Sequence, residues 1–239
     1  MNGLSDSVRE KEAEEWLSNF PRLFDLYQSS RKEDPKNYFN FRELFPIAYI
    51  GSAAFAEIEK TLAQLDAESW EKLRKKTLSY ITKNSSRRGY HQLFNGLNEA
   101  RGYGYLAGQG YDPISFIDED PARRLPDLLA KKLGSVAILE VKTVNQSDED
   151  IGQESLQRHA ATKVEPRLSE KFKSRILRSI RDAREQLDAY PNRTDRKIAF
   201  LFVHMDSSQS TCGESYAELD NFVTAQTTSS LEVIHQTTP

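Results

Sequence analysis

The sequence predicts an α/β protein in which a mixed central sheet is flanked by helices and preceded by a helical region. Three observations carry this. In residues 1–84 apolar positions recur at three- and four-residue steps, with hardly any alternation of β-branched residues. Beyond about residue 100 the pattern changes to short apolar runs, of which Val136–Val144 and Ile198–His204 are rich in β-branched and aromatic residues. One long amphipathic helical stretch separates those two runs, the arrangement by which helices come to cover a sheet.

Taken in order, Trp16, Phe20, Leu23 and Tyr27 share one helical face, as do Phe55, Ile58, Leu62 and Leu65. Asp66 has the position of an N-cap for a helix reaching about Ile81, with Glu68 and Glu71 in or near its first turn. The aromatic residues Tyr38, Phe39, Phe41, Phe45 and Tyr49 read as core in preference to a DNA-stacking surface. A helix over Gly89–Ala100 carries Leu93 and Leu97 inward and is expected to close at Arg101-Gly102. Short strands are then expected at Tyr103–Leu106, Ile114–Ile117 and Leu125–Lys131, followed by a Leu133-Gly134-Ser135 turn and the central strand Val136–Val144. A polar loop over about 145–165 leads to Ser169, which can cap a helix to about Ala189 with Ile176, Ile180, Ala183, Leu187 and Tyr190 as its stripe. A buried strand at Ile198–His204, a short helix at Tyr216–Phe222 and a terminal strand at Leu231–Ile234 complete the reading. The order is helix, three or four strands, helix, strand, and the chain divides into 1–84 (helical accessory region), 85–205 (core) and 206–239 (acidic segment).

Composition narrows the function classes. Across 239 residues no apolar run approaches the roughly eighteen that a bilayer span needs, so a membrane-spanning class is excluded. The polar, acidic start does not resemble a signal peptide, and a cytoplasmic location is expected. One cysteine, Cys212, excludes a disulfide framework and a zinc site of several thiolates, and His91, His159, His204 and His235 show no metal-ligand spacing. The net charge of −3 is unevenly spread: residues 198–239 hold five acidic and no basic residues, whereas 166–197 hold ten basic and five acidic. The total therefore does not speak against a nucleic-acid partner.

The residues that carry chemistry are Pro126-Asp127 on one strand and Glu140-Val141-Lys142 near the end of the next. With a period of two, Glu140 and Lys142 project from one face and Val141 from the other. If the two strands form a hairpin, Asp127 sits across from Glu140, which gathers two carboxylates and an ammonium at one point. Two oxygen ligands with positions left for water and phosphate suit Mg²⁺. Other acidic-x-Lys triplets, Asp34-Pro-Lys36 and Asp195-Arg-Lys197, lack this setting, since only Glu140-Val-Lys142 ends an apolar β-run. Asp112 and Asp118-Glu119-Asp120 fall at turns.

Over about 89–204 this pattern resembles the PD-(D/E)xK nuclease superfamily, with its restriction-endonuclease-like fold and αβββαβ order. The resemblance implies a metal-dependent nuclease that hydrolyses phosphodiesters, most simply a DNA endonuclease, with Mg²⁺ as cofactor and Mn²⁺ able to substitute. It implies metal ligation by Asp127, Glu140 and the backbone carbonyl of Val141, and a role for Lys142 in orienting or deprotonating the attacking water. Glu99, on the helix before the sheet, matches a family glutamate that reaches the metal through water or serves a second ion. Gln186 matches a glutamine that positions the lysine or a phosphate. DNA is the partner it implies, without a membrane, and a homodimer is left open.

Around the apolar stripe of the later helix stand Lys171, Lys173, Arg175, Arg178, Arg181 and Arg184, a patch to which a phosphate backbone is drawn whatever its sequence. The alternatives are a catalytically silent nucleic-acid-binding module on the same fold, or a protein-interaction role centred on residues 1–84 and the acidic C-terminal segment.

Overall fold

The computed structural model describes residues 6–30, 34, 36–39, 52–83, 90–118, 120, 122–145, 168–204 and 213–237. Phe41, Phe45 and Tyr49 of the aromatic series, Glu119, the expected loop over 146–165 with His159, and Cys212 lie outside the described residues. The chain forms two compact units, Met1–Tyr105 and Leu106–Pro239.

The first unit is helical: α1 (Asp6–Leu17), α2 (Pro21–Ser29), α3 (Ser52–Leu62), α4 (Ala67–Leu78) and α5 (His91–Gly108), the last continuing past the division. Trp16, Phe20, Leu23 and Tyr27 do not share one helix, as their spacing suggested, because Pro21 opens α2 at a position where its missing N–H costs nothing. The N-terminus of α2 has no side-chain cap of its own and borrows Glu59 from α3, which accepts the Arg22 and Leu23 amides at 2.9 and 3.1 Å. Asp66 caps α4 by accepting the Ser69 amide at 2.7 Å. Phe39 is buried edge-on to Tyr27, and Tyr38 lies edge-on to Tyr90 and Phe94, so these aromatics are packing residues.

Tyr103–Leu106, expected as a strand, is helix, and α5 runs through Arg101-Gly102 to Gly108. Leu93, Leu97, Ala100, Tyr103 and Leu106 continue one buried stripe at steps of three and four. Burying two large side chains is worth about 1.5–3 kcal/mol each, which outweighs the roughly 1 kcal/mol that each interior glycine costs a helix.

The second unit is α/β. Its strands, β1 (Ile114–Phe116), β2 (Leu128–Lys132), β3 (Ser135–Val144), β4 (Arg196–Val203) and β5 (Glu232–Thr237), form one mixed sheet in the order β1-β2-β3-β4-β5. β1, β2 and β3 pair antiparallel, whereas β3, β4 and β5 pair parallel. Two helices join them: α6 (Glu170–Asp188), capped by Ser169, and α7 (Gly213–Thr224). The helical stripe Phe172, Ile176, Ile180, Ala183 and Leu187 packs with Leu219 and Val223 of α7 on one sheet face, against Ile138, Val144, Ala199, Leu201 and Val233. On the opposite face Leu139, Ile198 and Phe200 are buried as well, which is why these strands read as continuous apolar runs. The acidic C-terminal segment supplies α7 and β5 and so completes the sheet. Among the described residues no helix is long and apolar enough to cross a membrane.

A two-residue turn joins β2 to β3, with φ of +43° at Leu133 and +80° at Gly134. Positive φ at both positions is what a type I′ hairpin turn requires, and it suits glycine but strains leucine, whose side chain here is wholly exposed. Leu133→Asn is therefore expected to raise stability by up to about 1 kcal/mol. The reading is a higher urea midpoint at unchanged m-value; a lower midpoint would show that the leucine makes a contact worth more than the strain.

Candidate active site

The site grows out of the β2–β3 hairpin. Its register pairs Leu128 with Leu139, so one step beyond the end of β2 brings Asp127 opposite Glu140. Asp127 is held there at both ends: its main-chain oxygen accepts the Ile117 amide at 2.9 Å, and its Oδ2 accepts the Val141 amide at 2.8 Å. The carboxylate thus replaces the ladder partner that Val141 would otherwise lack where β2 begins. Glu140 and Lys142 alternate with Ile138 and Val144 on the face that α6 covers, and Val141 points to the other face.

Beneath α6 the Glu140 side chain is 3% exposed. Lys142 Nζ donates to Glu140 Oε1 at 2.6 Å and also to Gln186 Oε1. Gln186 in turn donates from Nε2 to the Leu125 carbonyl at 3.1 Å, which ties the last turns of α6 to the segment entering β2. The lysine head is therefore fixed by two acceptors from different elements. Glu140 Oε2 is buried and accepts no hydrogen bond from a donor among the described residues, and the facing Asp127 carboxylate is close enough to share a proton with Glu140. Burial and the neighbouring Asp127 charge push the Glu140 carboxyl up to about 9, and the Lys142 ammonium, which favours the charged form, only partly opposes them.

This geometry bears on a metal ion. An unsatisfied buried carboxylate oxygen normally costs about 1–3 kcal/mol, and a cation repays that cost as well as a proton does. The donors are all hard oxygens, of the kind Mg²⁺ takes while keeping several waters. Among the described residues no group of three or more His, Cys, Asp or Glu is placed to hold a metal, so any ion here depends on two carboxylates, the main chain and water. On its chemistry the donor set fits a hard divalent cation.

Asp127, Glu140, Lys142 and Gln186 are thus brought together, and Val141 joins them through its amide. Glu99 belongs to the first unit, on α5, where its Oε1 lies 2.8 Å from Lys76 Nζ. Of the basic residues on α6, Lys173 is bound to Glu218 of α7 at 2.8 Å and to Glu170 at 3.1 Å, and Arg175 donates to the Asn145 carbonyl at 3.1 Å. These two hold the fold: Glu218 also accepts the Leu168 amide, so it fastens the start of α6 to α7. Arg178, Arg181 and Arg184 are exposed, as is Lys171. Sequence reasoning missed the Leu125 carbonyl and the Asp127–Val141 link, because main-chain partners leave no trace in residue type. No family model, curated protein or solved structure matches the chain.

A carboxyl group whose folded-state value is raised favours folding while protonated, and that advantage is lost as pH rises from its ordinary 4.5 towards about 9. In chelator the protein is expected to lose stability as pH rises across this window, because the folded state holds the Glu140 proton more tightly than the unfolded chain does. Glu140→Gln should be flatter over the same range. Denaturant melts at pH 5 and pH 8.5 compare the two, and equal slopes would refute the assignment of the strain to Glu140.

Proposed function

We propose that the Leu106–Pro239 unit is the catalytic core of a divalent-metal-dependent nuclease of the PD-(D/E)xK type, with a restriction-endonuclease-like fold, that hydrolyses phosphodiester bonds in DNA. The observation that carries this reading is the buried Glu140 carboxyl, with an unsatisfied oxygen, beside Asp127 and within hydrogen-bonding distance of the Lys142 ammonium. A plain ion pair between Glu140 and Lys142 would need no second carboxylate opposite it, and Asp127 stands there. The order three strands, helix, strand from β1 to β4, which α5 precedes in the chain, is compatible with that fold family.

In this reading Asp127, Glu140 and the Val141 carbonyl would hold Mg²⁺, or Mn²⁺ in its place. Such an ion supplies Lewis-acid polarisation of the phosphate and a lowered pKa for attacking water. The residues do the rest. Lys142 Nζ, steered by Glu140 Oε1 and Gln186 Oε1, presents its remaining proton to an attacking water or to a phosphate oxygen as negative charge develops. Gln186 acts as a positioning residue, because its grip on Leu125 fixes the direction from which it meets the lysine. Asp127 is pinned by the Val141 amide, so its carboxylate would stay beside Glu140 if a cation were held there. The exposed arginines of α6 supply sequence-independent attraction for the phosphate backbone.

Plasmid nicking with Mg²⁺, set against chelator, tests the reading. Asp127→Ala and Lys142→Ala are each expected to lower the rate by about 10²–10⁴-fold with retention of DNA binding, and Gln186→Ala by about 10–100-fold. Cleavage that persists in chelator, or in Lys142→Ala, overturns it.

A further inference from the structure

The segment that delivers Asp127 carries two arginines, Arg123 and Arg124, and we infer that they form a phosphate-gripping mount for the nucleic-acid strand entering the candidate active site. This rests on the nuclease reading of that site and names how its substrate is held. Both side chains are exposed, and among the described residues neither guanidinium has an ion-pair partner. Adjacent like charges repel, and the two acids nearest the pair in sequence on the described chain are otherwise engaged: Asp120 Oδ1 accepts the Ala122 amide at 2.8 Å and Asp127 Oδ2 the Val141 amide at 2.8 Å. Lys173 and Arg175, by contrast, each have an internal acceptor.

The backbone carrying the pair is fixed rather than free. The Arg123 amide donates to the Asp120 carbonyl at 3.2 Å, Leu125 is held by Gln186, and Asp127 by Ile117 and Val141. Arg124 precedes Asp127 by three residues, so their Cα atoms are at most about 11 Å apart even when fully extended. A cation site engages one phosphodiester, whereas a strand must also be held in register at its neighbours, the task that phosphate contacts perform. Planar guanidinium forks suit phosphate oxygens better than any other side chain. Two of them, outward-facing and rigidly linked to Asp127 and Gln186, meet that need on the β1–β2 side of the site.

The test measures binding of the full chain to a short DNA duplex in chelator, over a range of salt. Replacing both residues (Arg123→Ala with Arg124→Ala) is expected to lower the slope of log K against log salt by about 0.9 for each contact, about 1.8 together. A fourfold rise in salt would then weaken the wild type about twelvefold more than the variant. The double Arg→Lys variant, which keeps the charges, should retain the wild-type slope and so separates phosphate contact from damage to the loop. Cleavage by the wild type in Mg²⁺ is recorded alongside. An unchanged slope in the double alanine variant overturns the arginine mount and leaves a cleaving enzyme standing. A reduced slope in a protein that never cleaves supports the mount and sinks the nuclease reading. A wild type that does not retain DNA overturns the mount.

Discussion

A carboxyl group under a helix, at the centre of a sheet, is the constraint on which the rest of the second unit turns. Taking an ionised carboxylate out of water costs several kcal/mol, and a single charged hydrogen bond returns about 1.5–3 kcal/mol of it. Glu140 has one such bond, from Lys142, and faces a second carboxylate across the hairpin, so the balance is unfavourable to its charged form. A fold selected for stability alone would place an apolar residue there, since replacing buried ion pairs by well-packed apolar groups is often neutral or stabilising. The surrounding packing must offset that penalty, and it does so with the apolar stripe of α6 and the fully buried strands β3 and β4.

The same packing places the side chains of the candidate site. Because side chains alternate on β3, the face that brings Ile138 and Val144 into the α6 core also brings Glu140 and Lys142 there. The helix contributes Gln186 at the edge of its stripe, where it is close enough to steer the lysine and still reach the Leu125 carbonyl. The antiparallel hairpin contributes Asp127 by register. A slip of one residue in β2–β3 would send Asp127 away from Glu140 and turn the alternation inside out, so the tight turn at Leu133-Gly134 is as much a part of the site as the acids.

Much of this was legible in the sequence, for physical reasons particular to each element. β3 and β4 announce themselves as long apolar runs because both their faces are buried, and α6 because Ser169 caps it and its stripe keeps the helical period. Asp127 and Glu140 could be paired from the short turn between their strands. The C-terminal end of α5 could not be placed, because glycines at 102 and 104 mimic a helix terminus while Tyr103 and Leu106 continue the buried stripe; the break before α2 was lost because its flanking aromatics keep a helical spacing across Pro21. Within the site, what stayed hidden were partners without a residue signature. The Val141 amide, the Leu125 carbonyl and the Asn145 carbonyl each decide the role of a side chain, and only the three-dimensional path of the backbone reveals them. The internal partners of Lys173 and Arg175 were hidden too, since a basic helix looks the same in sequence whether or not its charges meet Glu218 or the Asn145 carbonyl.

The most direct measurement of whether the Glu140 pocket exists to exchange a proton for a cation is anomalous diffraction from a crystal soaked in Mn²⁺. The account places a peak between the carboxylates of Asp127 and Glu140, with Glu140 Oε2 turned towards it. A Mn²⁺-soaked crystal in which that position is empty, Lys142 still satisfies Glu140 and manganese is found only elsewhere would contradict it.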